Sequence, residues 1–125
     1  MNVVDSSGWL EFVADGAGAD FFEEAIADKE NLVVPLISVY EVYKRLYQEA
    51  GKDVAVQTIA YMQSCHLVDL DVESAIQAAE FSANYKVPMA DSIIYTIARN
   101  HQATLWTQDK DLQGFDSVEY QSKKS

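Results

Sequence analysis

Short apolar runs alternate with longer amphipathic stretches, and this alternation restricts the fold of the chain more than any other feature. Apolar runs lie at residues 2–4, 32–34, 66–70 and 103–107. The segments between them carry apolar residues at helical spacing. Long helical connections favour parallel neighbouring strands joined by right-handed crossovers. The pattern predicts an α/β fold, a three-layer α/β/α sandwich in which a small parallel sheet is flanked by helices.

Helices are predicted at about 8–14, 17–27, 37–50, 53–64, 71–86 and 88–100, with a short edge strand at 118–120. Pro35 is expected to stop the second strand, and Asp71 to cap the fifth helix. The third helix carries Tyr40, Tyr43 and Tyr47 at helical spacing, a pattern more typical of a core or a subunit interface than of base-stacking groups. The fifth helix carries a narrow apolar stripe. Its members are Val72, Ala75, Ile76, Ala79 and Ala83.

The length of 125 residues predicts one domain, residues 1–125, with a short polar tail from about 121. The only cysteine, Cys65, excludes an intramolecular disulfide framework and a cysteine-based zinc site. The N-terminus lacks the pattern of a signal peptide, and no apolar stretch is long enough for a membrane span. We therefore expect a soluble, cytoplasmic domain with no membrane partner.

The charge balance argues against a simple nucleic-acid binder. Nine basic against twenty acidic side chains give a net charge of −11, which repels phosphate backbones at long range. Divalent metal ions bound by clustered carboxylates would remove this obstacle locally. An acidic surface also suits a basic protein partner.

Two acids follow predicted strands, where parallel α/β sheets form their active crevices. Asp5 ends the first run and precedes small residues, beginning with Ser6, that let a ligand approach the backbone. Asp109 lies two residues after Thr107, at the end of a later strand. Taken singly, Asp5 is equally well interpreted as a helix cap and Asp109 as a turn residue.

Two further acids lie in the first turns of predicted helices. Glu41 interrupts a mostly apolar helix opening, although an acid near a helix N-terminus is also favourable in itself. Asp91 precedes Ile94, Tyr95 and Ala98 by three, four and seven residues, so it continues their inward stripe. A buried carboxylate needs a cation or hydrogen-bond donors, and the free amides of the first turn are the structural alternative.

Four oxygen ligands without a nearby histidine or cysteine suit a hard cation, Mg²⁺ or Mn²⁺. A metal held in this way lowers the pKa of bound water and stabilises the leaving oxygen in phosphodiester hydrolysis. The four acids together therefore indicate a metal-dependent hydrolase.

Four segments, in order, resemble the motifs of PIN-domain ribonucleases: residues 3–7, 38–42, 90–94 and 105–109. The chain length resembles specifically the VapC-type toxins of prokaryotic toxin–antitoxin pairs, and the resemblance spans residues 2 to about 120. It implies that an acidic quartet binds Mg²⁺ or Mn²⁺ and activates water for RNA cleavage. The implied catalytic and metal-binding residues are Asp5, Glu41, Asp91 and Asp109.

The same resemblance assigns secondary roles and partners. Thr107 would hold a carboxylate or a bound water, Asp111 is a substitute or outer-shell acid, and Ser6 lies beside Asp5. The implied partners are an RNA substrate, a second copy of the chain in a homodimer, and a cognate antitoxin whose basic residues would offset the charge of −11. Independently, the few basic side chains near the crevice are candidate contacts to the RNA backbone: Lys44, Arg45 and Lys110.

Three alternatives stay open. A metal-dependent phosphatase on another α/β scaffold is weakened because no second acid follows two residues after Asp5. A non-catalytic signalling or interaction module would bind Mg²⁺ only to hold a loop. An RNA-processing PIN protein without an antitoxin is the third.

Overall fold

The computed structural model describes residues 1–124, in which strands and helices alternate as predicted. The strands are β1 (Asn2–Val4), β2 (Val33–Pro35), β3 (His66–Val68), β4 (Thr104–Thr107) and β5 (Val118–Tyr120). The helices are α1 (Ser6–Val13), α2 (Ala19–Ala27), α3 (Leu36–Glu49), α4 (Lys52–Gln63), α5 (Val72–Tyr85) and α6 (Met89–Asn100). Single 3-10 turns cover Lys29–Asn31 and Lys110–Leu112. Ser125, the last residue of the predicted polar tail, lies outside the described residues.

All strand pairs are parallel, which confirms the predicted sheet. β4 lies between β1 and β5, and β2 pairs with β3. A single bridge between Asn2 and Leu32 places β2 beside β1. Because parallel strands point the same way, the residues that follow β1 and β4 meet at one edge of the sheet.

Two apolar cores cover the two faces of the sheet. Consecutive strand residues point to opposite faces, so Val4 and Val34 pack with Trp9 and Phe22, whereas the neighbouring Val3 packs with the α6 residues on the other side. The helices that pack on the two faces thus form the predicted outer layers.

No helix in residues 1–124 is long and apolar enough to span a membrane.

The apolar stripe of α5 faces outward. Val72 is 77% exposed and Ile76 is 57% exposed, whereas Ser74 and Ala78 are buried. α5 packs on α6 through the ring of Phe81, which lies 5.0 Å from that of Tyr95, and through Ser74, whose Oγ accepts a hydrogen bond from the Asn100 side chain at 3.0 Å. The face of α5 that contacts α6 is therefore not the predicted apolar stripe.

Two expectations from the sequence need correction. Pro35 does not follow β2 but is its last residue, paired with Val68, because its φ of −65° and ψ of 140° are extended. Tyr40 and Tyr47 are 64% and 55% exposed, so the core position is wrong for them, and the alternative of a subunit interface stays a prediction. The buried line of α3 runs instead through its small and aliphatic side chains: Ser38, Val42 and Leu46.

Candidate active site

Asp5 lies where β1 ends and α1 begins. Its Oδ1 accepts hydrogen bonds from the Gly8 amide and from Ser7 Oγ, both at 2.9 Å, so it caps the helix as the structural alternative predicted. Only 2% of the residue is exposed to solvent. Burial raises the pKa of Asp5 to about 6, although its hydrogen bonds act in the opposite direction.

Thr107, at the end of β4, connects Asp5 to the next acid. Its hydroxyl donates to Asp5 Oδ2 at 2.5 Å and accepts from the Asp109 amide at 2.9 Å. The parallel register produces this contact, because Val4 lies opposite Trp106 and the following residues of both strands become neighbours. The predicted hydroxyl role of Thr107 toward a carboxylate thus has a matching geometry.

A tight acidic group forms where α6 meets the end of β4. Asp91, Asp109 and Asp111 each offer one carboxylate oxygen, and these three oxygens lie within 4.8 Å of one another. Asp109 also accepts from the Asp111 amide at 2.9 Å and thereby begins the 3-10 turn. The structure thus brings Asp111 into the same acidic group as Asp91 and Asp109, which its secondary place among the predicted residues did not anticipate.

Asp91 is half-buried, and its pKa is raised further above the ordinary aspartate value than that of Asp5. Burial is the main cause that raises its pKa to about 8, and Asp109, Asp5 and Asp111 add their negative charges. Among residues 1–124, no backbone amide donates to its side chain, so the alternative in which first-turn amides satisfy it does not hold. Without a cation, a proton on Asp91 stabilises the cluster.

Glu41 reaches the same crevice from α3. Its Oε1 accepts a hydrogen bond from Ser6 Oγ at 2.6 Å, across thirty-five residues of sequence. Glu41 lies in the second turn of α3 rather than in the first turn as predicted, and this contact connects it to the start of α1. The structure therefore gives Ser6 a defined contact, to the carboxylate of Glu41 rather than to Asp5.

All four predicted acids line one crevice of about 480 Å³. The rest of the wall comes from α1 and α3, and it includes Lys44 and Arg45 of the predicted basic contacts but not Lys110. Sequence reasoning did not assign three residues of that wall to the site: Leu10, Tyr40 and Gln48. Helical spacing from Glu41 could have indicated part of this lining, because Lys44, Arg45 and Gln48 follow it at three, four and seven residues. Tyr40 directly precedes Glu41.

The donor set of the crevice fits a hard divalent cation. Its ligating atoms are carboxylate oxygens, the kind that Mg²⁺ and Mn²⁺ prefer. Burial is the main cause that raises the pKa values of Asp5 and Asp91, and the neighbouring acids raise that of Asp91 further. A cation would compensate their negative charges. Asp91, Asp109 and Asp111 are placed to hold it, and Asp5 adjoins them.

The family model described as PIN domain matches residues 3–118. This chain belongs to the PIN domain family. The predicted resemblance is thereby confirmed, and the PIN fold accounts for the meeting of acids from four distant segments. A comparison with curated proteins gave no match.

Solved structures with the same fold include toxins of toxin–antitoxin systems. A toxin–antitoxin complex from Klebsiella pneumoniae superposes with a TM-score of 0.80 at 18% identity, covering 95% of this chain and 96% of that one. VapC20 of Mycobacterium tuberculosis, described as a Sarcin-Ricin loop cleaving toxin, gives 0.78 at 19% identity, with coverages of 94% and 98%. VapBC2 from Rickettsia felis, bound to a promoter DNA fragment, gives 0.73 at 11% identity, and 98% of each chain is covered. At these identities the likeness establishes the PIN fold.

Proposed function

We propose that this PIN-domain chain is an endoribonuclease that depends on Mg²⁺ or Mn²⁺, and that it acts as the toxin of a toxin–antitoxin pair. The observation that carries the proposal is the convergence of Asp5, Glu41, Asp91 and Asp109 on one crevice from segments far apart in sequence. The structural likeness to VapC20 of Mycobacterium tuberculosis, described as a Sarcin-Ricin loop cleaving toxin, supports the choice of RNA as substrate.

The proposed roles follow from the contacts. Asp91 and Asp109 hold the metal, with Asp111 within reach, and Asp5 is oriented toward them by Thr107 and its own helix-cap bonds. The bound metal would lower the pKa of a water molecule and stabilise the leaving oxygen of the phosphodiester. Glu41, which accepts a hydrogen bond from Ser6, lines the same crevice and would bind water or a further ion there.

We expect a metal ion that binds at Asp91 to displace the proton of its carboxyl group. With its pKa at about 8, this carboxyl keeps a proton near neutral pH in the metal-free protein. Binding a divalent cation there releases that proton, so metal affinity increases with pH up to about 8. The chain uses no covalent intermediate, because the nucleophile is water.

The decisive experiment is RNA cleavage by the purified protein with Mg²⁺ or Mn²⁺, beside EDTA and an Asp91→Asn variant. Asp20→Asn is the matched control, since it removes the same charge from an exposed helix N-terminus outside the crevice. We expect metal-dependent cleavage by the wild type and the control, and a loss of at least about 100-fold in Asp91→Asn.

The alternatives give different results in the same assay. A non-catalytic metal-binding module would bind Mg²⁺ and leave RNA intact, whereas a phosphatase would hydrolyse a phosphomonoester and spare the RNA backbone. Equal cleavage by Asp91→Asn and wild type would contradict the assignment of the acidic site.

The remaining parts of the proposal concern the setting of the chain. We place it in the cytoplasm as one PIN domain, paired with a second copy and captured by a basic segment of an antitoxin. The net charge of −11 favours such a partner. Light scattering of the chain alone and after co-expression with its neighbouring reading frame tests both associations.

A further inference from the structure

We propose that Tyr40 and Lys44 hold an unpaired nucleotide of the RNA beside the acidic site, Tyr40 by stacking on its base and Lys44 by contacting its phosphate. The inference rests on the proposed ribonuclease function and names its substrate class, RNA with unpaired bases. Both side chains line the crevice that Asp5, Asp91 and Asp109 also line.

The placement of Tyr40 is not explained by the packing of the fold. Its side chain directly precedes Glu41 and is 64% exposed, although tyrosine gains most from burial. Tyr47, two turns further along α3, is also exposed, but it stacks on Tyr43 at 5.9 Å between ring centroids and does not line the crevice. Tyr40 is therefore the tyrosine whose ring is available at the site.

Lys44 is available as well. Its Nζ lies 5.9 Å from the centroid of the Tyr40 ring, one helical turn away on the same face. Among residues 1–124 it has no carboxylate within salt-bridge distance, in a chain with twenty acidic residues. The neighbouring Arg45 differs, because it pairs with Glu49 at 2.7 Å.

The charge of the whole chain makes short-range contacts decisive for RNA binding. A protein of net charge −11 lacks the positive field by which nucleases usually attract phosphate backbones. Stacking of a base on an aromatic ring does not depend on that field, and it changes affinity by a factor of about 5 to 150 per base. It requires a base with an uncovered face, which single strands and loops provide and a continuous duplex does not.

The test measures binding of a fluorescein-labelled, single-stranded RNA of about twelve nucleotides and randomised sequence, by anisotropy with Mg²⁺ in an Asp91→Asn background. Tyr40→Leu should weaken binding at least about 5-fold, and Tyr40→Phe should restore it, since the ring provides the contact. Tyr47→Leu is the matched control and should leave binding unchanged. An abasic strand of the same length should bind with the same affinity to the protein with Tyr40 and to the Tyr40→Leu variant.

Salt dependence tests Lys44 separately. Lys44→Met should reduce the slope of log affinity against log salt concentration by about 1, whereas Lys52→Met, at the exposed start of α4, should not change it. Unchanged RNA affinity in Tyr40→Leu, or an equal loss with the abasic strand, would overturn the stacking contact. If Tyr40→Leu instead reduces only self-association or capture by an antitoxin, the surface is a protein interface and the inference is wrong.

The two proposals fail in distinguishable ways. Metal-dependent cleavage by the wild type, together with identical binding by the Tyr40 variants, refutes only the nucleotide contact. Absence of cleavage by the wild type on single-stranded and structured RNA refutes the ribonuclease function and this inference with it.

Discussion

The hydroxyl of Thr107 contacts two of the acids in the site, Asp5 and Asp109. It donates to Asp5 and accepts from the Asp109 amide, with no part of the residue exposed. Thr107→Val keeps the shape and removes both bonds. We expect the free energy of unfolding to fall by about 1–3 kcal/mol, because Asp5 is left buried with one donor fewer.

The same substitution should raise the pKa of Asp5 above about 6, since the Thr107 bond lowers it in the wild type. Urea unfolding measures the stability, and ¹³C chemical shifts of the Asp5 carboxyl follow its titration. Thr107→Ser retains the hydroxyl and is the control. A pKa of Asp5 that does not move in Thr107→Val would contradict the proposed hydrogen bond.

Asp5 and Asp91 give the metal-free protein a distinct pH dependence. Both carboxyls have raised pKa values, about 6 and about 8, so the folded state holds their protons more tightly than the unfolded chain does. Their contribution to stability is complete below about pH 4 and is lost as the pH rises through 6 and 8. In EDTA, urea unfolding should therefore show a free energy of unfolding that decreases over this range.

The Asp91→Asn variant isolates the part of this effect that belongs to Asp91. Without a titrating group, its stability between pH 5 and pH 9 should decline less than that of the wild type, by about 2 kcal/mol after allowance for solvent screening. Saturating Mg²⁺ should flatten the wild-type profile, because the cation binds the ionised cluster. A wild-type stability that increases with pH in EDTA would show that Asp91 is not perturbed in this way.

At the scale of elements, the position of α1 depends on the close approach of its first turn to β1 and α2. A Cβ on Gly8 would lie 2.6 Å from both Val4 Cγ1 and Phe22 Cε1, inside the core. Because Asp5 begins α1, any displacement of this turn also moves the first acid of the site.

Gly8→Ala should therefore destabilise the protein, although alanine is the better helix former by about 1 kcal/mol. Overpacking costs about 1–3 kcal/mol, so we expect a net loss of up to about 2 kcal/mol. Thermal unfolding measures it, and metal affinity should fall in parallel as Asp5 shifts. An increased melting temperature would mean that α1 has room to adjust.

At the scale of the whole molecule, metal binding and folding should be coupled. The acids that would hold the cation come from α6 and the segment after β4, with Asp5 beside them at the end of β1, and they are adjacent only in the folded chain. A ligand of the folded state stabilises it by an amount set by its concentration relative to Kd, about 2.7 kcal/mol at 100 times Kd. Mg²⁺ or Mn²⁺ should thus raise the melting temperature by several degrees.

The rise in melting temperature on adding metal should be absent in Asp109→Asn and retained in Asp20→Asn, which changes the net charge equally. Differential scanning fluorimetry across a metal titration provides the measurement. An equal shift in all three proteins would assign the effect to general screening of the −11 charge rather than to the acidic site.

Local patterns predicted the elements well, because helical and strand periodicity act over a few residues. The strand at Asn2–Val4, the cap at Asp71 and the edge strand at Val118–Tyr120 occur where they were expected. The faces of the helices were predicted less well. On α5 the exposed Val72 and the buried Ser74 reverse the expected order, since the fit against α6 outweighs hydrophobicity there.

The sequence by itself determined the order of strands and helices, and it marked four acids at strand ends and first helical turns. These features depend on side-chain periodicity and on the known geometry of parallel sheets. Only the tertiary structure decided that Asp111 joins Asp91 and Asp109, that Ser6 binds Glu41, and that Tyr40 faces the crevice. Each of these depends on how separate segments pack, and the distances between such segments are not encoded by spacing along the chain.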